Sequence, residues 1–142
     1  MSLFDTALAS LGNHGTAVTM AGAEPRRDGN RHPSIAPYEA YSAADGDLII
    51  AAANNKLFAG VCAALDRPDL LADARFVDNA TRRAHIDELA VEIERTLATD
   101  TRDAWVEKLR AQQVPTGPIN SIPEALAWAE EMDIDAAKSK KK

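Results

Sequence analysis

The stretch Tyr38-EAYSAADGDLIIAA-Ala53 reads as two short strands folded back on each other. Residues 38–43 read as one strand and residues 47–53 as another, the second a continuous apolar run after Asp47. Between them, Asp45-Gly46 is the dipeptide that best satisfies the two positive φ angles of a type I′ turn. The second strand carries apolar side chains on both faces, so it is expected to lie centrally in its sheet and to be covered on both sides. A hairpin over 38–53 therefore anchors the reading of everything around it.

On its C-terminal side the pattern turns helical. Asn54 or Asn55 caps a helix whose Leu57, Phe58, Val61, Cys62 and Leu65 form one stripe. Pro68 opens a short helical turn through Leu71. Asp78 or Asn79 caps a longer helix with Ile86, Leu89, Ile93 and Leu97 at helical spacing, and Thr101 opens another that is anchored by Trp105 and Leu109. Two prolines and a glycine confine Val114–Asn120 to a loop or a short edge strand near 116–120. Ser121 and Glu124 then make a capping box around Pro123, and Ile122, Leu126, Ala129 and Met132 follow on one face. The expected class is α+β, with a small antiparallel sheet packed against four to five helices.

On the N-terminal side, Ser2 and Asp5 cap an amphipathic helix bearing Leu3, Phe4, Ala7, Leu8 and Leu11, which weakens at His14 and Gly15. Gly22–Pro37 has three prolines, two glycines and no apolar period, a loop longer than compact domains usually hold without a reason. Pro25, Pro33 and Pro37 stiffen it, while Gly29 and Asn30 offer positive φ. It sets Arg31, His32, Ser34 and Tyr38 at the entrance to a buried strand, and loops on rigid scaffolds are where binding residues concentrate. A plain linker is the alternative. Lys138 and Lys140–Lys142 suggest a solvated basic tail over 134–142.

Composition narrows the function classes. With 46% hydrophobic and 27% charged residues, the 142-residue chain has the usage of one ordinary globular domain. A net charge of −6 disfavours nucleic acid, whose binding needs a basic face. The apolar run Leu48–Ala53 is far too short to span a bilayer, and no basic segment followed by an apolar core opens the chain. A single cysteine rules out an internal disulfide, and together these features point to a reducing, cytoplasmic setting.

Little of this resembles catalytic chemistry. His14, His32 and His85 are too scattered for a metal ligand set, and Cys62 lies on an apolar stripe where a free thiol packs as a small hydrophobe. Glu92/Glu94 and Glu130/Glu131 do not face each other on a helix, so they form no shared-proton pair. The glycines make no phosphate-binding loop.

The order of motifs is more telling. Gly29-NRHPSIAP-Tyr38, Asp45-Gly46, Asn54-Asn55, Asp69-Leu70, Arg75-Phe76, Asn79, Arg82, Trp105, Val114-PTGPI-Asn120 and Glu124-Ala125 follow one another along the chain. Together they resemble the small domain of the family III (CaiB/BaiF) CoA-transferases, over roughly Ser2 to Glu130. That family includes carnitine, bile-acid and formyl-CoA transferases and α-methylacyl-CoA racemase.

The resemblance implies a domain organisation and a chemistry. Residues 1–24 would be a helix and linker from a large Rossmann-like domain, 25–133 the small domain, and the parent an interlinked homodimer acting on an acyl-CoA thioester. An aspartate of the large domain would be the nucleophile, passing through a mixed anhydride and an aspartyl-CoA thioester. No catalytic, metal-binding or cofactor-binding residue is then expected in this chain. Its contribution would be the substrate-adjacent loop of Gly29, Asn30, Arg31, His32, Pro33 and Tyr38, mobile once parted from the domain it closes on. The single glycine at 26–33 argues against a formyl or oxalyl specificity, and the HPSIAPY form is closer to members that use succinyl-CoA and dicarboxylic acids. An acyl-CoA racemase of the same family and a non-catalytic interaction domain are the competing readings.

Overall fold

A computed structural model describes residues 2–25, 27 and 29–139. Strands β1 (Tyr38–Ser42), β2 (Asp47–Ala51) and β3 (Thr116–Pro118) form an antiparallel sheet in the order β1-β2-β3. Five helices build the core against it: α3 (Asn55–Ala64), α4 (Asp69–Ala72), α5 (Asn79–Ala84), α6 (Ile86–Leu97) and α7 (Arg102–Ala111). Helices α1 (Leu3–Ser10) and α2 (Asn13–Ala21) precede the sheet, and α8 (Ile122–Ser139) follows it. The expected α+β class, hairpin and edge strand are all present.

The hairpin register pairs Tyr41 with Leu48 and Glu39 with Ile50, so these four share the face that meets the helices. Leu48 and Ile50 are buried there with Phe58, Ile93, Leu97 and Leu109. β2 is central, as expected, but it is covered on one face: Ile49, which points the other way, is exposed. All five core helices lie on one side of the sheet, and β2 reads as doubly covered because its outward positions are apolar too.

The turn differs from the expected type I′. Residues 43–46 form a four-residue connection closed by the Ala43 N–H donating to the Gly46 carbonyl (2.9 Å), with neither Asp45 nor Gly46 at positive φ. Longer hairpin loops are most often built on right-handed turn conformations, which need no such residue. Asp45 serves another element instead: its Oδ1 accepts from the backbone N–H of Arg102 (2.6 Å), docking the turn on the start of α7.

The single helix expected to follow Asp78 or Asn79 is two helices. Asp78 caps α5, accepting from the Thr81 N–H (2.8 Å), and the backbone breaks at His85 (φ −117°, ψ 35°) before α6 begins. The break frees α5 to face the loop before the sheet while α6 presents Leu89, Ile93 and Leu97 to the core. Asn54 caps α3 through the Leu57 N–H (2.9 Å), which settles the choice between the two asparagines. At the start of the chain, Gly12 at φ 51° divides the expected amphipathic helix into α1 and α2. At the other end, α8 continues to Ser139, beyond the start of the expected tail, whose Lys140–Lys142 lie outside the described residues.

Candidate functional site

The loop 29–37 crosses the end of β1 and is held at both ends. Gly29 takes the positive φ expected of it (63°), whereas Asn30 does not and instead accepts from the Ala40 N–H through Oδ1 (2.8 Å). The His32 N–H donates to the Tyr38 carbonyl (2.9 Å), and the two rings stack with centroids 5.0 Å apart. Residues 32 and 38 thereby close a small ring of backbone. Within it the Ser34 N–H donates to His32 Nδ1 (3.2 Å), which leaves Nε2 as the proton-bearing nitrogen of the neutral imidazole.

Arg31 is committed elsewhere. Its guanidinium donates to Asp87 on α6 (2.7 Å) and to the buried Glu39 on β1, and those two partners raise its pKa further above its ordinary value. Glu39 would otherwise be an unpaired carboxylate on the core face of the sheet. It also accepts from the Tyr41 hydroxyl (3.3 Å), and burial pushes that phenol well above its usual pKa. With two carboxylates on one guanidinium, Arg31 ties the loop to the sheet and has little net charge to offer an anion.

Helix α5 supplies the rest of the anchorage. Asn79 Nδ2 donates to the Ser34 carbonyl (2.8 Å) and Asn79 Oδ1 accepts from the Ala36 N–H (3.0 Å). Arg82 Nε donates to the Ala36 carbonyl (2.7 Å), and Arg83 Nη1 to the His32 carbonyl (3.2 Å). These three residues stand at i, i+3 and i+4, one face of the helix. Through them α5 reaches the loop backbone at residues 32, 34 and 36.

Six loop residues named from sequence are thus gathered at one edge of the domain: Gly29, Asn30, Arg31, His32, Pro33 and Tyr38. The partners that hold them, Glu39, Asp87, Asn79, Arg82 and Arg83, were missed as site residues. The polar spacing of 79, 82 and 83 was the available signal, hidden because helix reading follows apolar positions. The larger concavity lies elsewhere, a cleft of about 810 Å³ between α7, β3 and α8 lined in part by Arg102, Arg110, Glu124 and Trp128. Its charges are paired internally, Arg102 with Asp103 and Glu124 and Arg110 with Glu107, and no loop residue lines it. Among the described residues no cluster of three His, Cys, Asp or Glu side chains could hold a metal ion, and no helix is long and apolar enough to cross a membrane.

Comparison with known proteins places this architecture. The succinate–glutarate CoA-transferase of Agrobacterium fabrum is 37% identical over 132 residues, covering 89% of this chain and 32% of that protein. The acetyl-CoA:oxalate CoA-transferase of Acetobacter aceti is 34% identical over 88% of the chain and 32% of its own length. A CaiB/BaiF family protein of Brucella suis superposes with a TM-score of 0.77 at 35% identity, over 89% of this chain and 34% of that one. The chain therefore spans about a third of the length of these relatives. The model of CoA-transferase family III matches residues 1–137, and the chain belongs to that family.

Proposed function

We propose that this chain is the small domain of a CoA-transferase that moves CoA between an acyl-CoA, such as succinyl-CoA, and a carboxylic acid. The observation that carries the proposal is a family match over nearly the whole chain that accounts for only a third of each relative. The remaining two-thirds would hold the nucleophilic aspartate. That carboxylate attacks the thioester carbonyl, releasing CoA thiolate and leaving an acyl-aspartyl anhydride. The thiolate then attacks the aspartyl carbonyl, freeing the donor acid and leaving an aspartyl-CoA thioester that the acceptor carboxylate can claim.

In this scheme the loop of Gly29, Asn30, Arg31, His32, Pro33 and Tyr38 closes over the acyl group, with the half-buried, stacked His32 imidazole and Tyr38 ring as its chemistry. Exposed apolar side chains on α1 and α8 support contact with the larger domain and a second subunit of an interlinked homodimer. The buried free thiol of Cys62 suits a reducing, cytoplasm-like compartment.

The purified chain should transfer no CoA from succinyl-CoA to glutarate, oxalate or mesaconate, read as new acyl-CoA by chromatography. Transfer by the chain alone would overturn the division of labour. Joined to the adjoining coding sequence, it should gain that activity, and a joined protein that folds and stays inactive refutes the reading.

A further inference from the structure

Arg82 is the largest fully buried side chain among the described residues, and it meets no carboxylate. Its Nε donates to the Ala36 carbonyl (2.7 Å), Nη1 to the Phe76 carbonyl (3.0 Å) and Nη2 to Asn55 Oδ1 (2.8 Å), while the guanidinium lies 4.4 Å over the Phe58 ring. Burial lowers its pKa from the ordinary arginine value, yet each of its three nitrogens donates one hydrogen bond, as a planar fork of fixed geometry allows and an ammonium does not. One side chain thus joins α3, α5, the turn before α5 and the site loop.

Asn79 completes the arrangement one helical turn earlier. Its amide reads the Ser34 carbonyl and the Ala36 N–H together, so both backbone polar groups of the fully buried Ala36 are answered by α5 side chains. Apolar packing alone would leave the loop free to slide along α5. Directional bonds to residues 34 and 36 set its height and register, and leave the side chains of His32 and Tyr38 clear of the anchorage. Binding groups must be held within about half an ångström of their working geometry, and that is done by a supporting shell.

We propose that Asn79 and Arg82 are positioning residues for substrate binding, acting through the backbone of residues 34–36 on the loop that meets the acyl group. The inference rests on the function proposed above. It makes α5 part of the site, so that affinity for the carboxylic acid depends on residues that do not touch it.

The test is steady-state kinetics of the intact transferase carrying this chain, with succinyl-CoA and a dicarboxylic acceptor, beside thermal unfolding of each variant. Asn79→Ala and Arg82→Lys should raise KM for the acceptor at least tenfold, leave kcat within about threefold, and keep the fold. Asn79→Asp, which keeps the acceptor for the Ala36 N–H and loses the donor to the Ser34 carbonyl, should fall between Asn79→Ala and wild type. If the Arg82 variant does not fold, the two Asn79 variants decide alone. Lowered melting temperatures with unchanged KM in the folded variants would make the contacts purely structural and overturn the inference. His32→Ala separates the two levels of argument. If it raises KM while the Asn79 and Arg82 variants do not, the inference fails and the loop stands. If none of the variants changes KM, or the wild type transfers no CoA, the proposed function fails as well.

Discussion

Arg82 and Cys62 show how little a residue's type says about its duty. A guanidinium reads from sequence as a surface charge, yet here it is buried and answers backbone carbonyls, which the apolar periodicity of α5 and α6 could not reveal. Cys62 was read as core, and the fold agrees: burial pushes its thiol up to about 12. Because the thiolate is the reactive form, Cys62 should resist aromatic disulfide reagents in the native chain and react with one equivalent after urea unfolding. Rapid native labelling would contradict its burial. Gly60 is constrained by a neighbour. A Cβ there would sit 2.9 Å from Val114 Cγ2 and 3.1 Å from the Gln112 carbonyl, so the end of α7 must move to admit it. Gly60→Ala should therefore destabilise by about 1–2 kcal/mol, although Ala is the better helix former. A chemical-denaturation midpoint at or above wild type would show that the α3–α7 contact yields freely.

At the scale of elements, long-range polar contacts decide how neighbours dock. The hairpin and α7 were both legible, but their junction through Asp45 and the Arg102 N–H was not, because Asp45 already had an obvious local role as a turn former. Asp45→Ala should cost about 1 kcal/mol, as loss of an N-terminal capping acceptor does, and Asp45→Asn should recover most of it. Equal urea midpoints for the two variants would deny the docking role. Acid sensitivity belongs to the same scale, since it comes from ion pairs at the starts and connections of helices. The Arg75 guanidinium holds the Asp73 carboxyl down at about 2, Arg67 lowers Asp69, and Lys108 lowers Asp100. A carboxylate depressed in the folded state binds fewer protons than in the unfolded chain, so its contribution is present above the ordinary carboxylate range and lost as pH falls. Stability should be flat above about pH 5 and decline between pH 4 and 2. These pairs are exposed, so salt should shrink the decline. Asp73→Asn should flatten the lowest part of the curve; an unchanged profile would remove the Asp73–Arg75 pair from the account.

At the scale of the whole molecule, the surfaces say more than the core. Leu3 (88% exposed), Phe4, Leu8 and Leu11 on α1 and Ile122 (79%), Leu126 and Trp128 on α8 face solvent, although each set has the spacing of a buried stripe. The isolated chain should therefore self-associate as concentration rises, measured by light scattering after gel filtration. Replacing Leu3, Phe4 and Leu8 by polar residues should shift it toward monomer. A wild-type chain that stays monomeric at high concentration would show that these stripes do not drive association.

The amino-acid sequence by itself determined the α+β class, the hairpin, the capping of most helices and the family, because those follow from local periodicity, turn chemistry and an ordered run of motifs. It also set the loop from Gly29 to Tyr38 apart as the candidate site. What only the tertiary structure decided is how that loop is held. The bonds from Asn79, Arg82 and Arg83 to residues 32–36 span some 43 to 51 positions of chain, and that from Arg31 to Asp87 spans 56. No local pattern encodes such pairings, since each exists only once the sheet and helices have brought its two ends together.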